Sequence, residues 1–227
     1  MCPSSDGSDV EPGRIRLSRG AIVDACIGLA DREGIEAVTL RRIGAELGVD
    51  PTAVYRHFRD KDELLMAVAD RLLSGVVGRL SVTGEWRRDL REVALAARRV
   101  YLAHPALAHL LATAPDPLPS NTRLLEIAFG ALRSAGLDDR RAALAAEVLE
   151  DYTAGASSLD AAVGTDVGAS WRAAFASLPP EKFPHAIAVG PYLYRDDEAV
   201  FAFGLDLILD ALAAVAARPA RPEGGAP

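Results

Sequence analysis

The segment Val38–Lys61, VTLRRIGAELGVDPTAVYRHFRDK, constrains the fold more than any other part of the chain. It holds three helix starts in close succession. Thr39 stands before Leu40, Ile43 and Leu47, which share one helical face. Asp50-Pro51 gives an N-cap followed by a residue already fixed at a helical φ. Asp60, with Glu63 three residues on, makes a variant of the capping box. Between the first two starts, Gly48 supplies the left-handed backbone that a tight turn after a helix needs. Two short helices joined at Gly48-Val49-Asp50 are therefore expected, with another helix opening at once behind them. Gly44 is small where the pair would cross, and Ile43, Leu47, Val49 and Val54 would form its shared core.

The rest of the chain reads as further helices. Half of its 227 residues are apolar but only 6% are aromatic. A core built mostly of Ala, Leu and Val suits packed helices better than sheets. A first helix is expected between Ser18 and Gly34, with Ile22, Cys26, Leu29 and Ala30 inward. The helix behind Asp60 would bury Leu64, Leu65, Val68 and Leu72. A long helix follows from Trp86 to about Ala103, then a short one after His104-Pro105 and a loop from Pro115 to Pro119. Helices from Ser120 to Gly136, from Asp138 to Ala162 and from Asp196 to Ala217 complete the pattern. The stretch 163–194, rich in Gly and Pro, reads as irregular, with room for a short helix around Trp171. The expected organisation is a tail at 1–13, a first domain at 14–62, a second at 63–217 and a tail at 218–227, both tails disordered.

The net charge is -7, yet its distribution is uneven. Residues 1–13 hold three acids and no base, and residues 62–227 hold sixteen Lys/Arg against twenty-two Asp/Glu. Residues 14–61 hold nine Lys/Arg against seven Asp/Glu, so the one positive segment contains the paired short helices. Attraction to phosphate is local at cellular salt, so what counts is where Arg41, Arg56, Arg59 and Lys61 point. Cys2 and Cys26 build no disulfide framework. No basic-then-apolar leader opens the chain, and its longest apolar runs read as far short of a membrane span. A cytoplasmic protein with no membrane partner is expected. The sequence shows no phosphate loop, paired-His motif or nucleophile elbow, and the histidines at 57, 104, 109 and 185 have no ligand spacing. No catalytic residue, cofactor or metal is expected.

The outer face of the paired helices carries side chains suited to duplex DNA. Arg41 can reach a guanine edge with its donor fork, and Thr52 can bond a base edge. Pro51 and Ala53 can touch a thymine methyl. Thr39, Tyr55, Arg56, His57 and Lys61 can meet phosphate oxygens, which set register. A helix–turn–helix alone is common in all-α proteins. The ordered run Thr39, Arg41, Gly48, Tyr55, His57, Phe58 and Lys61 is more specific. In AIVDACIGLADREGIEAVTLRRIGAELGV and AVYRHFRDKDELL the chain resembles the TetR family of repressors. That resemblance implies phosphate contacts for Tyr55, His57 and Lys61, and base reading by Arg41, Thr52 and Ala53. Ala53 stands where some relatives place a polar base reader. It also implies the fold class: all-α, with an N-terminal three-helix DNA-binding domain joined by a fourth helix to a larger helical dimerisation and ligand-binding domain.

For the larger domain, two apolar stripes suggest a homodimer through a four-helix interface: Leu144, Val148, Gly155, Ala156 and Leu159 on one helix, and Phe201, Leu205, Ile208, Leu209 and Leu212 on another. Either stripe could instead face the subunit's own core. Tyr101, His104, Phe129, Tyr152, Trp171 and Phe175 are the expected lining of a pocket for a largely apolar small-molecule effector. The function expected is a sequence-specific transcriptional regulator, a repressor released from a palindromic double-stranded operator by that effector. Two other readings stay open: a DNA-binding protein of this fold that uses no effector, and an all-α enzyme. Arg41→Ala is expected to cost about 1–3 kcal/mol at mainly one base pair, whereas Lys61→Ala should weaken binding to every sequence and flatten its salt dependence. Gel shifts on a panel of operator variants at several salt concentrations check both.

Overall fold

The computed structural model describes residues 17–113, 118–162, 166–193 and 196–218. Cys2 and the expected tails lie outside the described residues, Arg218 apart. The described chain is all helix and loop, without a strand. Its α-helices are α1 (Arg19–Glu33), α2 (Leu40–Glu46), α3 (Pro51–Tyr55), α4 (Lys61–Val77), α5 (Trp86–Ala103), α6 (Ala108–Thr113), α7 (Pro119–Ser134), α8 (Asp139–Ala162), α9 (Asp166–Ala176), α10 (Pro184–Val189) and α11 (Asp197–Ala216).

Five helix starts are where the side-chain chemistry puts them, whereas α7 opens at Pro119 behind Leu118 with no side-chain cap, one residue ahead of the expected Ser120. Ser18, Thr39, Asp50, Asp60 and Asp196 each accept a backbone N–H from the first turn of α1, α2, α3, α4 and α11. Gly48 takes φ +66° between α2 and α3. Within the stretch 163–194, α9 is the short helix expected around Trp171, and the remainder carries α10 and a 3-10 turn at Gly190–Tyr192 where irregular chain was expected. Its glycines and prolines divide short helices rather than exclude them.

Two cores result. The first joins α1, α2, α3 and the start of α4 through Ile22, Leu29, Ile43, Val54, Phe58 and Leu64, all fully or almost fully buried. Leu107, from the 3-10 turn Pro105–Leu107, plugs this same core with no exposed surface. The second joins α5, α7, α8 and α11 around Leu90, Leu132, Leu149, Phe201, Leu205 and Leu209. α4 links the two. Leu64, Leu65 and Val68 lie in the first core, Ala69 meets Tyr101 and Leu111, and Val76 meets Ala96 and Leu124.

Two expectations about α11 need correction. Phe201, Leu205 and Leu209 are at most 1% exposed, so they fill the subunit's own core and are not surface contacts. Ile208 and Leu212 are half-buried against the same core. The apolar residues left outward on α11 are Val200, Phe203 and Leu207, one helical face away. On α8 the expected stripe does lie outward: Leu144, Val148 and Leu159 are 48%, 52% and 66% exposed, Gly155 is exposed and Ala156 half-buried. By length and composition alone α11 could also cross a membrane, with mean hydropathy 2.1 over its apolar window, contrary to the expectation that no run reaches that length. Here its acids Asp206 and Asp210 are ion-paired with Arg87 and Arg91 of α5.

The α8–α11 contact is tight. Tyr152 stacks on Phe201, centroids 5.2 Å apart, and its hydroxyl donates to the Phe201 carbonyl at 2.9 Å. The guanidinium of buried Arg98 lies over the Phe201 ring, 4.3 Å from its centroid, and pairs with Asp160 at 2.6 Å. A Cβ at Gly204 would lie 2.2 Å from the Tyr152 hydroxyl oxygen. Gly204→Ala should therefore displace Tyr152 and cost about 1–3 kcal/mol, read as a lower midpoint in chemical denaturation. An unchanged midpoint would mean that the ring moves at no cost.

Candidate DNA-binding face and effector cavity

The α2–α3 pair is held by close backbone approach. Gly44 is buried under α3, where a Cβ would lie 3.2 Å from both the Pro51 Cα and the Val49 carbonyl oxygen. The Val49 N–H donates to the Gly44 carbonyl at 2.9 Å. With Ile43, Val54 and Phe58 filling the inner side, Thr39, Arg41, Thr52, Tyr55 and Arg56 are left exposed on the outside. Pro51, Ala53 and His57 are half-buried at its edges.

Side-chain pairing sorts the basic residues. Arg42 donates to Glu33 at 2.7 Å, Arg32 pairs with Glu46, and Arg59 pairs with Asp60 at 2.8 Å. Among the described residues Arg41 and Arg56 have no ion-pair partner. Thr52 is fixed by its neighbour. Its amide N–H and its hydroxyl both donate to Asp50 Oδ1, at 2.8 and 2.6 Å. The Thr52 hydroxyl and then its amide hold the Asp50 carboxyl below the usual carboxylate range.

Lys61 departs from expectation. It is half-buried, and its ammonium donates to the Ile35 carbonyl at 3.1 Å, closing the 3-10 turn Ile35–Ala37. One of its three donors is spent on the fold, so Lys61→Ala must perturb the fold as well as any phosphate contact. Sequence reasoning also missed Arg19. Its fork donates to the His57 carbonyl and, at 2.9 Å, to Glu63, while its guanidinium lies 4.0 Å over the Phe58 ring. Arg19 thereby ties the end of α3 and the start of α4 to α1. Its position one residue after the Ser18 cap gave no hint of that reach.

A cavity of about 100 Å³ lies among α4, α5, α6, α7 and α8. Leu73, Val93, Ala97, Leu111, Leu125 and Ala128 belong to its mostly aliphatic wall. Its polar members are Tyr101, Asn121, Glu150 and Thr153. Of the six residues expected to line the effector pocket, Tyr101 lines this cavity, while Phe129 borders a separate, shallower one between α7 and α8. His104 ends α5 and bonds Asp31 of α1 through Nδ1 at 2.8 Å. Phe129 packs on the second core, Tyr152 is engaged with Phe201, and Trp171 pairs with Phe175 inside the α9–α10 segment, centroids 5.7 Å apart. These side chains found partners within the fold instead: a carboxylate for His104, ring and carbonyl for Tyr152, and apolar neighbours for Phe129 and Phe175. The available signal was the reverse: Asn121 is a polar residue one turn before Leu124 and Leu125 on a helical face that is otherwise apolar.

Comparison with known proteins agrees with this architecture. Residues 22–68 match the bacterial regulatory proteins of the tetR family, and residues 80–216 match the tetracyclin repressor-like C-terminal domain. The chain is 30% identical over 218 residues to the HTH-type transcriptional repressor Rv1353c of Mycobacterium tuberculosis, covering 88% of this chain and 84% of that one. It superposes on the Streptomyces coelicolor TetR family protein ActR in complex with actinorhodin with a TM-score of 0.76 at 28% identity, covering 89% of this chain and 100% of that one. It superposes on BioQ of Mycobacterium smegmatis, solved with its double-stranded DNA operator, with a TM-score of 0.65 at 28% identity, covering 88% and 99%.

Arg19→Ala should loosen α3 without removing a phosphate contact. The expected result is a loss of about 1 kcal/mol in stability and weaker operator binding with an unchanged slope against salt. A flatter salt slope would instead make Arg19 a phosphate ligand.

Proposed function

The chain belongs to the TetR family of bacterial transcriptional regulators, and from that premise we propose that it is a homodimeric repressor that leaves a palindromic operator when a small, largely apolar molecule enters the cavity. The observation that carries this reading is α4, which ends in both places. Its Leu64, Leu65 and Val68 sit in the core of the DNA-reading unit, and its Leu73 lines the cavity. The ActR complex with actinorhodin and the BioQ complex with its operator support the two halves of the proposal.

In the proposed complex α3 enters the major groove. Arg41 and Thr52 read base edges, with Pro51 and Ala53 against thymine methyls. Thr39, Tyr55, Arg56, His57 and the spare donors of Lys61 hold phosphates. Two copies of α3 must then lie about 34–36 Å apart to meet successive turns of one duplex face. The partner docks on the outward face of α8, at Leu144, Val148, Gly155 and Leu159, together with Val200, Phe203 and Leu207 of α11 in place of the buried α11 stripe.

Release follows from strain at α4. A ligand pressing on Leu73 and Leu111 moves α4 and α6 together, since Ala69 of α4 packs with Ala108 and Leu111 of α6, and the Ser120 amide at the start of α7 donates to Asp70 of α4 at 2.9 Å. The DNA-reading core follows, because Leu107 is buried in it and His104 is bonded to Asp31. A preference of a few kcal/mol for the moved state suffices to vacate the operator. In this reading the division between reading and sensing falls within α4 after Val68, beyond the boundary expected between residues 62 and 63. A cytoplasmic place is part of this reading, and no residue is assigned a catalytic role.

Phe203→Glu should convert the dimer to monomer in sedimentation and lower operator affinity at least about 100-fold, since the second half-site is no longer tethered to the first. A variant that stays dimeric would place the interface elsewhere.

A further inference from the structure

The cavity wall is aliphatic except along one arc, formed by Tyr101 of α5, Asn121 of α7 and Glu150 of α8. Tyr101 is 7% exposed, yet its hydroxyl makes no hydrogen bond among the described residues, and neither do the side chains of Asn121 and Glu150. Thr153, the remaining polar lining residue, is satisfied within α8, donating to the Leu149 carbonyl at 2.7 Å. Buried polar groups are ordinarily paired, so the unpaired hydroxyl of buried Tyr101, with half-buried Asn121 and exposed Glu150 beside the same apolar space, suits a ligand that brings its own polar end. Glu150 is exposed as well as cavity-lining, which puts its carboxylate at the mouth.

The sign of this arc is one-sided. Among the described residues the lining contains no Lys, Arg or His, and Glu147 and Asp151 lie beside Glu150. Burial first, then the Glu150 charge, pushes the Tyr101 phenol up to about 12, so it stays a neutral donor and acceptor. Burial, then Asp151 and Glu147, raises the Glu150 carboxyl. An anionic ligand would meet a carboxylate and no counter-charge. A donor or cation would meet an acceptor already desolvated on one side.

We infer that the effector is a compact apolar molecule ending in a hydrogen-bond donor, an amine or a hydroxyl, which Glu150 receives at the mouth while Tyr101 and Asn121 orient it, and that carboxylic acids of the same shape are rejected. This rests on the reading of the cavity as the effector site.

Calorimetric titration of the dimer at pH 7 with 4-methylbenzylamine, 4-methylbenzyl alcohol and 4-methylbenzoate tests it. The amine should bind tightest, and the benzoate at least about tenfold more weakly than the amine. Glu150→Gln should weaken the amine about tenfold and leave the alcohol within about twofold. Equal or tighter binding of the benzoate, unchanged discrimination in Glu150→Gln, or no binding by any of the three overturns the inference. Ala128→Phe, or Ala97→Leu if the first variant melts at low temperature, fills the cavity. Amine binding that survives the filled cavity lies elsewhere, and then the effector-site reading fails. Binding that is lost there but indifferent to Glu150→Gln removes only the donor preference.

Discussion

One helix carries the mechanical burden of this molecule. α4 is about 25 Å long, and its apolar side belongs in turn to the DNA-reading core, to the Tyr101 and Leu111 cluster and to the Val76 cluster. Packed interiors are dense and shift in discrete steps rather than by smooth deformation. A helix buried in three clusters cannot be pressed at one without being re-seated in the others. The second link, Leu107 sunk in the first core and His104 bonded to Asp31, makes the joint between the two halves a pair of struts instead of a single hinge.

The two ends of that helix are built to different standards. At the DNA end the fit is close: Gly44 leaves no room for a side chain, and Ile43, Val54, Phe58 and Leu64 are sealed from solvent. Rigidity there serves recognition, because base reading needs fixed donors and acceptors. At the other end a void persists among α4, α5, α6, α7 and α8, with polar groups unpaired at its edge. That end gives up packing energy in return for room.

Local rules were legible in the sequence where local chemistry decides the outcome. The caps at Ser18, Thr39, Asp50, Asp60 and Asp196, the turn at Gly48 and the inward faces of α1, α2 and α4 follow from residues within a turn or two of each other. So does the exposure of Arg41, Thr52 and Tyr55. Long-range partnerships were not legible. Nothing near Arg19 in sequence announces His57 and Glu63, nothing near Lys61 announces Ile35, and Arg41 and Arg42 look alike until Glu33 comes to meet one of them. α11 is apolar nearly all round, so its periodicity could not tell the face turned to α8 from the face turned outward. The aromatic residues misled for a related reason: a ring gains as much from stacking on another ring as from facing a void.

The tether between Thr52 and Asp50 reaches further than the first turn of α3. A free hydroxyl rotates and is indifferent to the polarity of whatever it meets. This one has committed its hydrogen to a carboxylate two residues earlier, so it has only lone pairs to offer. Set against base edges, as proposed for α3, it would be complementary to the exocyclic amino groups of adenine and cytosine and mismatched to the carbonyl oxygens of guanine and thymine. A letter of the operator would then depend on the acid that holds Thr52, and drift at position 50 would rewrite the binding site while Thr52 itself stayed the same.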